Sequence, residues 1–189
     1  MQAPTPAIAD EQILSLLSQE HTAERGFRLL MQVYQERLYW HIRRLVTDHE
    51  DANDVLQNSL IKVYRNIAQF EGKSKLFTWL YRIATNEALS FMQQKKRRFS
   101  ASLDEEGSHL SNQLEADPYF DGDELQIRLR EALERLPEKQ RIVFNLRYYD
   151  EMGYKEMSDI LDTSEGALKA SYHHAVKKIE AYLKGVEIE

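Results

Sequence analysis

The chain has no cysteine, which rules out disulfides and every thiolate metal site. Glycine and proline are scarce, with 7 and 4 among 189 residues, while 30% of the residues are charged. That balance favours long helices over a turn-rich fold. No apolar run approaches the roughly 20 residues needed to span a bilayer, and no short apolar stretch follows a basic start. Direct membrane insertion and a signal peptide are therefore not expected, and a cytoplasmic protein is the simplest reading. No segment alternates apolar and polar residues as a half-buried strand would. No nucleophile motif, glycine-rich phosphate loop or metal-ligand spacing occurs, so no catalytic residue, cofactor or metal is expected.

The net charge of −6 conceals an uneven division. Residues 1–98 carry +3, residues 99–124 carry −8 without a single Lys or Arg, and residues 125–189 carry −1. The acidity is confined to one short segment poor in apolar periodicity, which reads as a flexible linker. Residues 1–9, with two prolines, read as a loose tail. Residues 10–98 and 125–189 are the two candidate domains.

Helical spacing begins near Asp10 and continues through Phe27, Leu30, Met31, Tyr34, Leu38, Ile42 and Leu45. A further run holds Leu56, Leu60, Val63, Tyr64 and Ile67, and the Glu71-Gly72-Lys73-Ser74 stretch interrupts it. The next runs from about Phe77 to Lys95. Between Phe70 and Arg98 lie seven Lys/Arg against two Glu, interleaved with Phe70, Phe77, Trp79 and Tyr81. Cations beside aromatic faces suit an unpaired nucleic-acid strand, since cations hold phosphates and rings stack on bases. Trp79 is equally suited to a helical core. The acidic face Asp51, Asp54 and Gln57 reads equally well as a solvated helix start, favoured by the helix dipole.

After the linker, helices resume at Leu125, and Pro137 fits the first turn of the next one. Tyr154 to Leu183 reads as two helices around a tight turn. Ser158 is small, Asp162 tolerates a left-handed backbone, Thr163 or Ser164 is placed to cap the second helix, and Leu168 points back at the first. This spacing fits a DNA-binding helix-turn-helix, though a plain amphipathic pair satisfies it as well. Leu168, Tyr172, Ala175, Val176, Ile179 and Leu183 form a buried stripe, and Glu165, Gly166, Lys169, Ala170, His173 and Lys177 lie on the other side. His173 and His174 are adjacent, point apart, and are not a metal pair. On the residues alone, a regulator with a C-terminal helix-turn-helix and an N-terminal sensory or dimerising domain stays open.

Taken in order, these pieces resemble the extracytoplasmic-function (ECF) group of bacterial sigma-70 family initiation factors. Asp51-Ala-Asn-Asp-Val-Leu-Gln57 looks like that family's D-x-x-D-V-x-Q helix. Phe77-Thr-Trp-Leu80, Ile83-Ala84 and Asn86 look like its F-x-x-W-L-x-x-I-A-x-N segment. Lys95–Arg98 resembles the basic end of region two, Leu133–Arg141 the start of region four, and Glu165–Lys169 with Ala175 its recognition helix. The resemblance implies an all-α protein of two helical domains, the second a helix-turn-helix, that directs RNA polymerase to promoters without bond chemistry of its own. It implies core polymerase as partner, through the clamp of the largest subunit and the flap of the second-largest, together with promoter DNA and an anti-sigma factor. It assigns Asp51, Asp54 and Gln57 to polymerase. It assigns Lys73, Lys75, Trp79, Arg82, Asn86, Lys95, Lys96, Arg97 and Arg98 to the melted −10 element. It assigns Tyr154, Lys155, Glu165, Gly166, Lys169, Ala170, His173 and Lys177 to the −35 duplex. Asp162 and Ser158 stand where the family usually has Gly and Ala, and Ser171 and His174 where Arg is frequent. Fewer fixed cations imply fewer phosphate contacts from region four alone.

Overall fold

The computed structural model describes residues 6–46, 48–105 and 124–185, which form eight α-helices and no strand among them. They are α1 (Pro6–Leu17), α2 (Ala23–Val46), α3 (His49–Asn66), α4 (Leu76–Glu105), α5 (Glu124–Glu134), α6 (Glu138–Tyr148), α7 (Tyr154–Leu161) and α8 (Glu165–Lys184). Two boundaries differ from the sequence reading. A helix already begins at Pro6, inside the expected tail; proline is accepted in a first turn because its missing N–H would have no partner there. The helix expected to stop near Lys95 continues to Glu105, because no Gly or Pro interrupts Lys95–Glu105. Of the expected linker, residues 106–123 lie outside the described residues.

The first lobe is α1–α4. Leu30, Tyr34, Leu38 and Ile42 recur at steps of four along α2 and are buried against Val55, Leu80, Ala84 and Ala88 from α3 and α4. Gly26 lets α1 approach α2 closely: a Cβ there would meet Leu16 Cβ and Leu17 Cγ at 2.9 Å. The Tyr34 hydroxyl reaches the Asp10 carboxylate, and burial with that carboxylate pushes its pKa well above the ordinary tyrosine value. Tyr64 differs from expectation. It is 61% exposed and covers only the edge of Phe27, with ring centroids 5.1 Å apart.

The second lobe is α5–α8. Ala132, Leu136, Phe144, Ala175 and Ile179 form its own core. The helix-turn-helix follows the expected plan. Asp162 adopts φ 50° and ψ 47°, Ser164 Oγ caps α8 by accepting from the Ala167 N–H at 3.3 Å, and Leu168 is buried. The lobes are not separate bodies in this structure. Met152, Met157, Ile160 and Leu168 share one continuous core with α2 and α4, with α6 lying on α2 and α7 on α4.

Candidate nucleic-acid interface

Lys75, Trp79, Arg82 and Asn86 stand at steps of four, three and four, so α4 presents them along one stripe. Helical bonding starts at Lys75, whose carbonyl accepts from the Trp79 N–H at 3.1 Å. Lys75, Arg82 and Asn86 are exposed, while Trp79 is half-buried and tilted against Phe70 at 5.4 Å. The rest of the predicted ring platform is spoken for. Phe77 lies 4.4 Å from Tyr81 and beneath the Arg37 guanidinium at 5.1 Å, and Tyr81 is 1% exposed. Tyr81, interleaved in the sequence with the cations, is therefore a core residue, and burial raises its pKa well above the ordinary tyrosine value.

The cations divide into two sets. Lys73 pairs with Glu71, Lys75 with Glu156 at 2.8 Å, and Lys95 with Asp51 at 2.5 Å. Arg82, Lys96, Arg97 and Arg98 are exposed and form no salt bridge among the described residues. Of the predicted polymerase residues, Asp54 and Gln57 are exposed on α3. Asp51 is half-buried in the first turn, and its N–H donates to the N-cap carboxylate of Asp48 at 2.9 Å. That bond holds the Asp48 carboxyl below its usual pKa.

In the second lobe, Lys155 is exposed on α7, and Glu165, Gly166, Lys169, Ala170, His173 and Lys177 are exposed on the side of α8 away from the buried stripe. Tyr154 is half-buried. Its ring carries the Arg147 guanidinium and the Lys169 ammonium, each 5.5 Å from the centroid. Arg147 also donates to the Met152 carbonyl at 3.0 Å, so it braces the loop before α7.

A constellation that sequence reasoning missed joins the lobes. Asp150, in the loop between α6 and α7, accepts from Arg44 Nη2 at 2.6 Å and lies 3.0 Å from His41 Nδ1. His41 is fully buried, and its Nε2 lies 2.9 Å from the Thr85 hydroxyl. Arg141 donates to the Leu45 carbonyl at 3.2 Å and Asn145 to the Arg44 carbonyl at 3.3 Å. These two α6 side chains thus cap the last turn of α2, whose carbonyls have no helical partner. No single-sequence signal marks these residues, because their partners lie about a hundred positions away.

The family model for Sigma-70 region 2 matches residues 30–98, and the model for Sigma-70 region 4 matches residues 126–179. The RNA polymerase sigma-H factor of Pseudomonas aeruginosa is 30% identical over 169 residues, covering 85% of this chain and 88% of that protein. The chain belongs to the ECF group of the sigma-70 family. The ECF sigma factor SigW of Bacillus subtilis is 29% identical over 167 residues, covering 84% and 89% of the two chains. The ECF sigma-E factor of Escherichia coli K12 is 31% identical over 165 residues, covering 83% and 86%. The sigma factor RpoE from Bartonella quintana, solved with the anti-sigma factor NepR, shares the fold. Its TM-score is 0.69 at 24% identity, over 85% of this chain and 98% of that one. As a sigma factor, this protein binds core RNA polymerase and directs it to promoters. The stripe on α4 falls in region 2 and the helix-turn-helix in region 4. Among the described residues no helix is long and apolar enough to cross a membrane.

Proposed function

We propose that region 2, residues 10–98, grips the polymerase clamp and holds the melted −10 strand, while region 4, residues 125–189, reads the −35 element as duplex and meets the flap. Asp54 and Gln57, with Asp51 beside them, meet basic and polar groups of the clamp. Arg82 and Lys96–Arg98 hold phosphates, with Lys73, Lys75 and Lys95 joining when their carboxylates let go. Trp79 offers its exposed edge to a base taken out of the stack, and Asn86 contacts bases or backbone. Glu165, Gly166, Lys169, Ala170 and His173 face base edges in the major groove, flanked by phosphate contacts from Tyr154, Lys155 and Lys177. The chain performs no bond chemistry, works in the cytoplasm, and answers to an anti-sigma factor, as the NepR complex of a relative suggests.

The observation that carries this reading is the stripe of exposed Lys75, Arg82 and Asn86 around half-buried Trp79, on the helix adjoining Asp54 and Gln57. Replacing Asp54 and Gln57 by Ala should abolish holoenzyme assembly with circular dichroism unchanged. Replacing Lys73, Lys75 and Arg82 by Ala should leave polymerase binding intact and block open-complex formation, read by permanganate footprinting. Normal assembly in the first variant, or normal melting in the second, refutes the corresponding assignment.

A further inference from the structure

We propose that Tyr154 is a positioning residue that sets specificity: its ring holds the Lys169 ammonium at one base pair of the −35 element. It thereby makes a base reader of a side chain that would otherwise neutralise phosphate. The inference deepens the assignment of α8 to the −35 duplex and rests on it.

Lys169 is exposed on the α8 face turned away from the core, just past the first turn that Ser164 caps. Its Nζ lies 5.5 Å from the ring centroid of Tyr154, the first residue of α7. Glu165, Gly166, Ala170, His173 and Lys177 share that face. Among the described residues, none of their side chains has an ion pair, hydrogen bond or ring contact with another helix. The Glu165 carboxylate, 4.0 Å from Lys169 on the same helix, forms an exposed pair that contributes little. The ring is therefore the tether that distinguishes Lys169 from Lys177.

The ring itself is well anchored. The Met157 N–H donates to the Gly153 carbonyl at 3.0 Å and the Gly153 N–H to the Glu156 carboxylate at 3.1 Å, which fixes the turn that carries Tyr154. The Arg147 guanidinium also lies 5.5 Å from the ring centroid, and its Nη1 donates to the carbonyl of buried Met152 at 3.0 Å. Arg147, Tyr154 and Lys169 all belong to region 4, so the arrangement is internal to that lobe.

A lysine ammonium is a point charge on a flexible stem. Phosphates and base acceptors compete for it, and a phosphate contact carries no sequence information. A ring face attracts the charge without using up its N–H donors, which stay available for the O6 and N7 acceptors of guanine. The tether also spares rotamer freedom that a loose lysine loses on binding. Attraction to an exposed ring corresponds to about two- to fivefold in an equilibrium constant, and that is the share of the preference Tyr154 supplies.

The test uses holoenzyme assembled from core polymerase and the full chain. A promoter found by run-off transcription on genomic fragments has its −35 element randomised, and the transcribed templates are sequenced. Lys169→Gln should erase a guanine preference at one position. Tyr154→Leu should weaken the preference at that same position about two- to fivefold, leave the others unchanged, and add nothing in a Lys169→Gln background. Tyr154→Phe keeps the ring and loses the hydroxyl, so it should retain the preference. Partial unfolding of region 4, or loss of a phosphate contact from the hydroxyl, lowers transcription from all sequences alike and cannot imitate a change confined to one position. An intact preference in Tyr154→Leu, equal losses in the Leu and Phe variants, or additive losses in the double variant overturn the positioning role alone. Unaltered preferences in Lys169→Gln defeat the assignment of α8 to base edges, and the positioning role with it.

Discussion

Neutralising three cations should weaken DNA binding by an amount that depends on which three are chosen. Lys96, Arg97 and Arg98 are exposed at the far end of the region 2 basic run and form no salt bridge among the described residues. Each phosphate they hold releases a condensed counterion, worth about 0.7 in the slope of log K against log salt for a single strand. Raising salt fourfold, from about 50 to 200 mM, therefore costs about 2.6-fold per contact and about 18-fold for three. Changing all three to Gln should flatten the slope by about 2. Lys73, Lys75 and Lys95 are already neutralised by Glu71, Glu156 and Asp51. Moving one of them onto a phosphate strands a carboxylate, which takes up a cation and offsets the release. Changing that trio to Gln should flatten the slope by less than about 1. The assay is fluorescence anisotropy of a labelled, A/T-only single-stranded 15-mer with the full chain, titrated at several salt concentrations. Equal slope changes for the two trios would show that the ion pairs are irrelevant to binding and would refute the division of cations argued here.

Two stability predictions follow from local geometry. The left-handed Asp162 costs more than glycine would at φ 50°, so Asp162→Gly should stabilise region 4 by about 0.5 kcal/mol and Asp162→Val should destabilise it by about 1–2 kcal/mol, measured by urea unfolding; a Val variant as stable as the parent would contradict the observed turn. Asp48 caps α3, and its Ala variant should lose about 1 kcal/mol. Because the Asp51 N–H depresses the Asp48 pKa, the ionic part of this cap is complete above the unfolded carboxyl value of about 4 and disappears as pH falls below it. Asp48→Asn should keep the cap and remove the acid sensitivity, read as unfolding midpoint between about pH 2 and 6.

The helix-turn-helix was legible in the sequence because its requirements are local. A left-handed turn residue, a capping hydroxyl and an apolar residue six positions on lie within a dozen residues, and the structure has Asp162, Ser164 and Leu168 in those roles. Periodicity also identified the inner face of α2. It could not say what covers a face that carries both rings and charge. Tyr64 shares the spacing of the α3 core yet is exposed, meeting Phe27 edge-on rather than packing beneath a helix among the described residues. Tyr81 sits among cations in sequence yet is buried, because the α6–α7 loop closes over it with Asp150. His41 and Asp150 are 109 residues apart, and nothing in the neighbourhood of either announces the other. Pairings between lobes depend on tertiary approach, which residue spacing along one helix does not encode.

The carboxylates that hold the region 2 cations carry a consequence of their own. A chain of net charge −6 that binds DNA must keep its acids from repelling the phosphates, and here two of them sit on surfaces proposed for other partners. Asp51 belongs to the face assigned to the clamp, and Glu156 to the first helix of the region 4 helix-turn-helix. If, as proposed, Asp51 meets a basic group of polymerase, Lys95 would lose its internal partner and be free for phosphate. If region 4 were drawn away with Glu156, Lys75 would be freed in the same way. Each engagement would thereby strengthen the next, and linkage requires the reverse as well: opened DNA on Lys95 and Lys75 would favour both the clamp contact and the departure of Glu156. The order in which promoter recognition proceeds would then be written partly in which carboxylate each lysine must leave.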